Sequence, residues 1–312
     1  MTDLRIVTYN VRYFGHSTRG IASTKRAMHR IAEALGALDP LPQIICLQEV
    51  EAQSLRSTLA HPLAHNKQTQ LSRFTDVFSE VLQSRHQHAA YETYYFPAHS
   101  YRISSKTNFY TTGLAILADA NLRIDHHNAT APIDITCRHL HPIKSLKQTR
   151  ICAHLRFRTE RDETIDIFNT HLSLPSSLTR AFWTRSLRLG NGQNQLQEAR
   201  NLISFVNAER KSDRFVVVGD FNSRPGSSVY AHLIDQGRFV DGFSSFHHFD
   251  DESSDRWPTA GFMHLRMRLD HIFSGQDIEW IDFKDTRPFD DRTSPFFGLS
   301  DHSPIIGTFR MA

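Results

Sequence analysis

The chain has 312 residues, with 36 Lys and Arg set against 33 Asp and Glu, for a formal charge of +3. That near balance, without a long basic run, argues against a polyanion held by bulk charge, and no stretch approaches the length of a bilayer span. Three cysteines (Cys46, Cys137, Cys152) form an odd set with no close pair, which disfavours a disulfide framework and fits a reducing compartment, with cytoplasm as the expected location.

Residues 4–10 read as a strand ending at Asn10. Ser23 reads as the N-cap of a helix to about Leu38, with Met28, Ile31, Leu35 and Leu38 on one side and Asp39-Pro40 as its stop. Ile44 to Leu47 is a buried strand that delivers Gln48 and Glu49, with Cys46 inside it as a small apolar residue. Leu71, Phe74, Val77, Phe78, Val81 and Leu82 mark an amphipathic helix, and Tyr91 to Phe96 and Gly113 to Leu117 read as strands. Ile151, Ala153, Leu155 and Phe157 alternate with Cys152, His154 and Arg156, a half-buried strand; Ile165 and Ile167 alternate with Asp166 in its neighbour, which ends at Asn169-Thr170-His171. Leu196, Ala199, Leu202, Ile203 and Val206 predict a helix leading into a strand at 215–219. The last strands are Leu269 to Phe273, about Ile278 to Phe283, and Ile305 to Phe309.

Segments 97–110, 173–193 and 241–268 read as polar and irregular. In the middle one, Arg180, Phe182, Trp183, Arg185 and Arg188 suit either a phosphate- and base-binding lip or a partly packed loop with solvated arginines. Most of the 19 histidines read as surface residues, and pairs such as His86/His88 and His126/His127 lack a ligand-like context. No linker, repeat or low-complexity tract divides the chain, so residues 1–312 are expected to form a single domain.

Chemistry concentrates where strands end. The run Val216-Val217-Val218-Gly219-Asp220-Phe221-Asn222 is a β-branched strand broken by Ser223, Pro225 and Gly226, so Asp220 and Asn222 stand on a rigid exit. A carboxylate beside a carboxamide suits a metal-held water or a phosphate oxygen, although Asp and Asn are also ordinary turn formers. The same pattern recurs at Asn10, at Leu47-Gln48-Glu49, at Asn169-Thr170-His171, at Leu269-Asp270-His271 and at Ser300-Asp301-His302-Ser303-Pro304.

Together these six motifs, in this order, resemble the endonuclease/exonuclease/phosphatase superfamily, the fold of DNase I and the exonuclease III-like enzymes. The resemblance spans residues 6–304. It implies an α/β fold, a four-layer α/β sandwich with two central, mainly antiparallel sheets. It also implies a Mg²⁺ site, with Mn²⁺ as the alternative ion, in which Glu49 is the main ligand and Asn10 and Asp301 assist. By the same resemblance His302 faces the scissile phosphate, Asp270 holds its other ring nitrogen, and either that pair or Asp220 activates water. Asn222 would orient water or phosphate, and His171 would donate to the phosphoryl oxygens. His271 reads as structural or as supporting its neighbours.

Exonuclease III-like AP endonucleases usually carry tyrosine where this chain has His171. The Asn-Thr-His-Leu form resembles the DNase I, sphingomyelinase-like and related phosphodiesterase branches. The expectation is therefore a metal-dependent phosphodiesterase acting on a phosphate-ester substrate, with a nuclease acting on DNA or RNA as the alternative. A lipid phosphodiesterase touching a membrane surface through Phe296 and Phe297 is weaker. A non-catalytic binding module would have lost at least one of Glu49, Asp220, Asn222, Asp270 or His302, and all are present. No obligate protein partner is expected.

Overall fold

The computed structural model describes residues 3–14, 21–54, 69–104, 107–137, 149–159, 161–175, 189–262, 265–284, 286, 289 and 291–311. In chain order the first half runs β1 (Leu4–Asn10), α1 (Ile21–Gly36), β2 (Ile44–Ser54), α2 (Gln70–Ser84), β3 (Tyr91–Ser104), β4 (Thr107–Asp119), β5 (Arg123–His127) and β6 (Ile133–Asp134). It continues with β7 (Ile151–Arg158), β8 (Thr164–His171), α3 (Gln193–Glu209), β9 (Phe215–Asp220), α4 (Ser228–Asp235), β10 (Val240–Asp241), α5 (Gly242–His247) and α6 (Asp251–Asp255). The last elements are β11 (Ala260–Phe262), β12 (Leu265–Met267), β13 (Asp270–Ser274), β14 (Ile278–Lys284) and β15 (Ile305–Met311).

Two large sheets form, ordered β14-β15-β1-β2-β4-β3 and β10-β13-β9-β8-β7-β5, with β6 also pairing with β7. Each holds one parallel pair, β1 with β2 and β8 with β9, and the other pairs are antiparallel. Each parallel pair is joined through a helix, α1 or α3, because strands running the same way need a long return.

Side chains alternate along each strand, and the alternation sorts the core into three layers. Ile6, Ile44, Cys46, Ile116, Leu155, Ile167, Val216, Val218 and Ile272 face one another between the sheets. Val7, Ile45, Leu47, Leu117 and Ile306 pack on the other side of the first sheet against Ile31 and Leu35 of α1 and Phe74 and Phe78 of α2. Cys152, Phe168, Val217 and Phe273 do the same against Leu202 and Val206 of α3 and Leu233 of α4. The result is helix, sheet, sheet, helix, the expected four-layer sandwich.

Several expectations shift in detail. Helix α1 opens at Ile21 rather than at a Ser23 cap, and β2 continues through Glu49 to Ser54. Strands β3 and β4 run on through much of the segment read as irregular, and 241–268 holds two short helices and a hairpin. Arg180, Phe182, Trp183, Arg185 and Arg188 lie outside the described residues. Phe296 is no surface anchor: it is 2% exposed and packs edge-on to Tyr9, with ring centroids 5.9 Å apart. All three cysteines are free and buried. Among the described residues no helix is long and apolar enough to cross a membrane.

At one end of the sandwich the inter-sheet core turns polar. Gln48 Nε2 donates to Thr8 Oγ1 at 3.0 Å in its own sheet and to Asn169 Oδ1 at 2.8 Å in the other. Asn169 Nδ2 donates back across the gap to the carbonyls of Leu47 and Ala115, both at 3.1 Å. Each unsatisfied buried polar group costs about 1–3 kcal/mol. Asn169→Ala strands several at once and should lower the unfolding free energy by about 2–4 kcal/mol in urea titrations. A loss below about 1 kcal/mol would show that this belt does not hold the sheets together.

Candidate active site

Two residues beyond Thr8 in β1 and Asn169 in β8, the belt gives way to charge. Asn10, His171 and Asp220 are the last residues of β1, β8 and β9, and Asp270 is the first of β13. Each shares the parity of inward-facing neighbours, so all four point into the gap between the sheets. The site therefore sits at the carboxyl ends of both parallel pairs, where open α/β sheets leave a crevice.

Glu49 reaches the same gap by a different route. Simple alternation would turn it outward with Ile45 and Leu47. The register slips between Leu47 and Val50, and Glu49 takes a left-handed backbone with φ of 56°. This bulge lets both Gln48 and Glu49 face inward while Val50 returns to the outer layer. Gly219 is the second backbone device: at φ +146° a Cβ would lie 1.9 Å from the Thr170 carbonyl oxygen.

Asn10 ties the two sheets together here. Its Nδ2 donates to Glu49 Oε1 at 3.3 Å and to Asp220 Oδ2 at 3.0 Å, and its Oδ1 accepts from the Arg12 backbone N at 3.0 Å. Asp220 is 2% exposed. Its Oδ1 accepts from the Asn222 backbone N at 2.9 Å, and its Oδ2 lies 3.4 Å from His171 Nε2 and 3.7 Å from His302 Nε2. The other ring nitrogen of His302, Nδ1, meets Asp270 Oδ2 at 2.8 Å. His302 is thus an imidazole clasped by two carboxylates.

The electrostatics follow from burial and crowding. Desolvation, with the neighbouring Asp270 charge, pushes the Asp220 carboxyl up to about 7. Burial disfavours charge on His302, but Asp270 and Asp220 outweigh it and push the imidazole up to about 10. Burial raises the Glu49 carboxyl as well. His171 goes the other way, held well below its usual value by burial and by the Arg150 and His302 charges, so it stands neutral.

The remaining expected residues are also placed. Asn222 donates through Nδ2 to the Leu172 carbonyl at 2.9 Å, and its φ of 48° bends the chain back under Asp220. Asp301 Oδ2 is paired with Arg12 Nη1 at 2.5 Å. His271 points away from the cleft: its Nε2 meets the Ser223 carbonyl at 2.8 Å and its Nδ1 meets Asp241 Oδ2 at 3.3 Å, a buried structural role.

Three residues outside the sequence motifs also contribute. Thr259 Oγ1 donates to Asp270 Oδ2 at 2.7 Å and accepts from the backbone N of Leu269 and of Asp270. Thr259 O also accepts from Ser303 N at 2.6 Å, so one residue braces both C-terminal motifs. Arg150 lines a small pocket with Glu49, Thr149 and His171, and Arg12 holds Asp301. Arg150 and Arg12 follow no apolar run of their own motif, and a lone arginine or threonine in a polar stretch carries no readable signal.

Donor types in the cleft suit a hard divalent cation. Glu49 is half-buried, and the Asn10 amide at 3.3 Å is a weak partner for it. Asp270 Oδ1 is buried without a hydrogen bond. Oxygen atoms of Asp220 and Asp270 and a nitrogen of His302 lie within 4.8 Å of one another. Gly219→Ala should displace Asp220 from this cluster and cost at least about 3 kcal/mol in thermal or urea unfolding. A variant of wild-type stability would mean that the strand exit is not constrained as drawn.

Comparison with known proteins agrees with this architecture. The fold matches the human Nocturnin catalytic domain with bound sulfate anion at TM-score 0.63 and 20% identity, covering 99% of this chain and 95% of that one. It matches ANGEL2, a 2',3'-cyclic phosphatase in complex with adenosine-2',3'-vanadate, at TM-score 0.63 and 15% identity, covering 99% and 96%. It also matches TDP2 from Caenorhabditis elegans at TM-score 0.55 and 17% identity, covering 99% of this chain and 75% of that one. At these identities the likeness shows the fold alone. No curated protein sequence matches the chain. The sequence model of the Endonuclease/Exonuclease/phosphatase family, however, matches residues 7–302, and the chain belongs to that family of phosphoester-cleaving proteins.

Proposed function

We propose that residues 1–312 act as one domain, a phosphodiesterase dependent on Mg²⁺ or Mn²⁺ that hydrolyses a P–O bond with an activated water. The observation that carries this reading is the convergence of Glu49, Asp220 and Asp270 with His171, His302 and Arg150 at one end of both sheets. Carboxylates would hold the cation and handle the proton, while the imidazoles and the guanidinium meet the phosphate.

In this reading Glu49 is the principal metal ligand, set in place by Asn10, with Asp301 nearby and held by Arg12. The chemistry a bound cation supplies is Lewis-acid polarisation of the phosphoryl group and a lowered water pKa. Asp220, raised towards neutrality, accepts the proton of the attacking water. Asp270 orients His302 through Nδ1 and leaves Nε2 facing the cleft beside Asp220. Neutral His171 and cationic Arg150 donate to the non-bridging oxygens as charge builds there. Asn222 keeps Asp220 aimed through its backbone N–H.

A diester substrate fits the Asn-Thr-His-Leu run at the end of β8, and ANGEL2, a 2',3'-cyclic phosphatase in complex with adenosine-2',3'-vanadate, shares the fold. The test is hydrolysis of a small diester and the matching monoester by the purified chain with Mg²⁺, alongside plasmid nicking as salt is raised. Diester cleavage above monoester cleavage, abolished by EDTA, is the expected result. Glu49→Gln should lower the rate by at least about a hundredfold and recover partly at high Mg²⁺. Strong nicking that collapses with salt would make the nuclease reading the better one. A monoester preference, or full activity in EDTA, overturns the proposal.

The pH profile tests the proton path. The Asp270 charge raises both Asp220 and His302, so removing it should lower both. The group that accepts the proton must be unprotonated, and the rate should therefore fall as pH drops below about 7. Asp270→Asn should move that acid limb to lower pH and reduce kcat by on the order of a hundredfold. An acid limb that does not move would remove these three residues as the proton-handling set.

A further inference from the structure

On the far side of the second sheet lies a second cluster of metal-type donors. His154 on β7 has the parity of Cys152 and Phe168, which face α3, while the catalytic residues face the other way. His126 on β5 pairs with Arg156, two residues along from His154, and this diagonal relation puts both imidazoles on one face with ring centroids 5.1 Å apart. Glu209, the last residue of α3, closes the group, and one ligand atom from each of the three lies within 4.8 Å of the others.

His154 carries the argument. Its ring is fully buried and stacked on Phe168, with centroids 4.4 Å apart and planes 9° from parallel. Its Nε2 lies 2.7 Å from Asp166 Oδ1, while its Nδ1 is buried with no hydrogen-bond partner. A carboxylate on one imidazole nitrogen fixes the proton there and leaves the other as a basic lone pair, the arrangement found behind metal-bound histidines. A ring nitrogen of His154 lies within 4.8 Å of ligand atoms of His126 and Glu209, and Nδ1 is the one left without a partner. Asp166 is itself fixed, accepting from Arg156 Nε at 2.7 Å and from the Lys211 backbone N at 3.0 Å. The Arg156 guanidinium beside the group is paired with Asp166, and its Nη2 donates to the Glu209 carbonyl at 2.5 Å. The negative end of the 17-residue helix α3 also points here and favours a cation.

We propose that His126, Nδ1 of His154 and the Glu209 carboxylate form a second metal site, distinct from the catalytic cleft, that takes Zn²⁺ or a similar borderline cation. Two imidazoles and one carboxylate match the ligand set of three-residue zinc sites, with water in the fourth position. Bond lengths of about 2.0–2.1 Å require ligand atoms roughly 3.4 Å apart in a tetrahedron, a small closure from the observed spacing. The side chains that must move are exposed His126 and half-buried Glu209, whereas buried His154 already stands in place. Bound metal would clip β5, which among the described residues pairs only with β7, to the end of α3.

The test uses the full chain with excess Mg²⁺ present, so that hard-oxygen sites are filled, followed by titration with Co²⁺ and with Zn²⁺. One equivalent of Co²⁺ should give the visible d–d absorption of a four- or five-coordinate complex, and Zn²⁺ should displace it and raise Tm. His126→Ala and Glu209→Gln should lose the band, weaken Zn²⁺ binding by at least about tenfold, and remove the Tm shift, with phosphoesterase activity unchanged in Mg²⁺. No band in the wild type overturns the proposal. So does a band that survives in His126→Ala, because the metal then sits elsewhere.

Discussion

The hydrogen bond from Gln48 to Asn169 is the contact on which the arrangement of the site depends. It crosses from one sheet to the other where neither residue is exposed to solvent. Apolar packing alone would tolerate a slide or splay of two sheets, since dispersion is not directional. A buried amide pair is directional, and leaving it unmade is expensive. The belt therefore sets the distance and register of the two sheets directly beneath the cleft. Only with that register fixed can Asn10 of one sheet reach Asp220 of the other at 3.0 Å.

Above the belt, the molecule concentrates negative charge in a space that would reject it. Asp220 and Asp270 sit opposite one another across an antiparallel pair, a position where like charges repel. The cost shows as the raised Asp220 carboxyl and as the proton held on His302. Arg150 and Arg12 offset part of it from the rim, Arg12 through its pairing with Asp301. Asp270 Oδ1 and Gln48 Oε1 nevertheless remain buried and without partners. A stable core would not keep such groups; a site that must attract a cation and a phosphate has a use for them.

How much of this was legible follows from what alternation can report. Strand-end polar residues at Asn10, His171, Asp220 and Asp270 were readable because period-two patterning gives both the strand and the face. Glu49 was readable only as part of a motif: alternation would have turned it outward, and no residue in Leu47-Gln48-Glu49 announces the bulge that reverses it. Arg150 and Thr259 escaped because each acts from a segment without periodicity, at a distance from its partners that only tertiary contact closes. Phe296 shows a related limit: two adjacent aromatics in a polar stretch suggest exposure, yet Phe296 is buried edge-on against Tyr9.

His126 and His154 show the same limit most clearly. In the sequence they are 28 residues apart, and Glu209 is 55 further on, a spacing that no short metal motif contains. The two strands β5 and β7 bring the imidazoles together only once their antiparallel register is set, and α3 adds the carboxylate only once it has returned across the sheet. The sheet then presents different chemistry on its two faces. Inward, oxygen donors dominate, which a hard ion prefers; outward, nitrogen donors dominate, which a borderline ion prefers. Because adjacent residues of one strand point to opposite faces, a single backbone can keep two such sites apart without a second domain. Ligand hardness, not distance alone, would then decide which cation goes where.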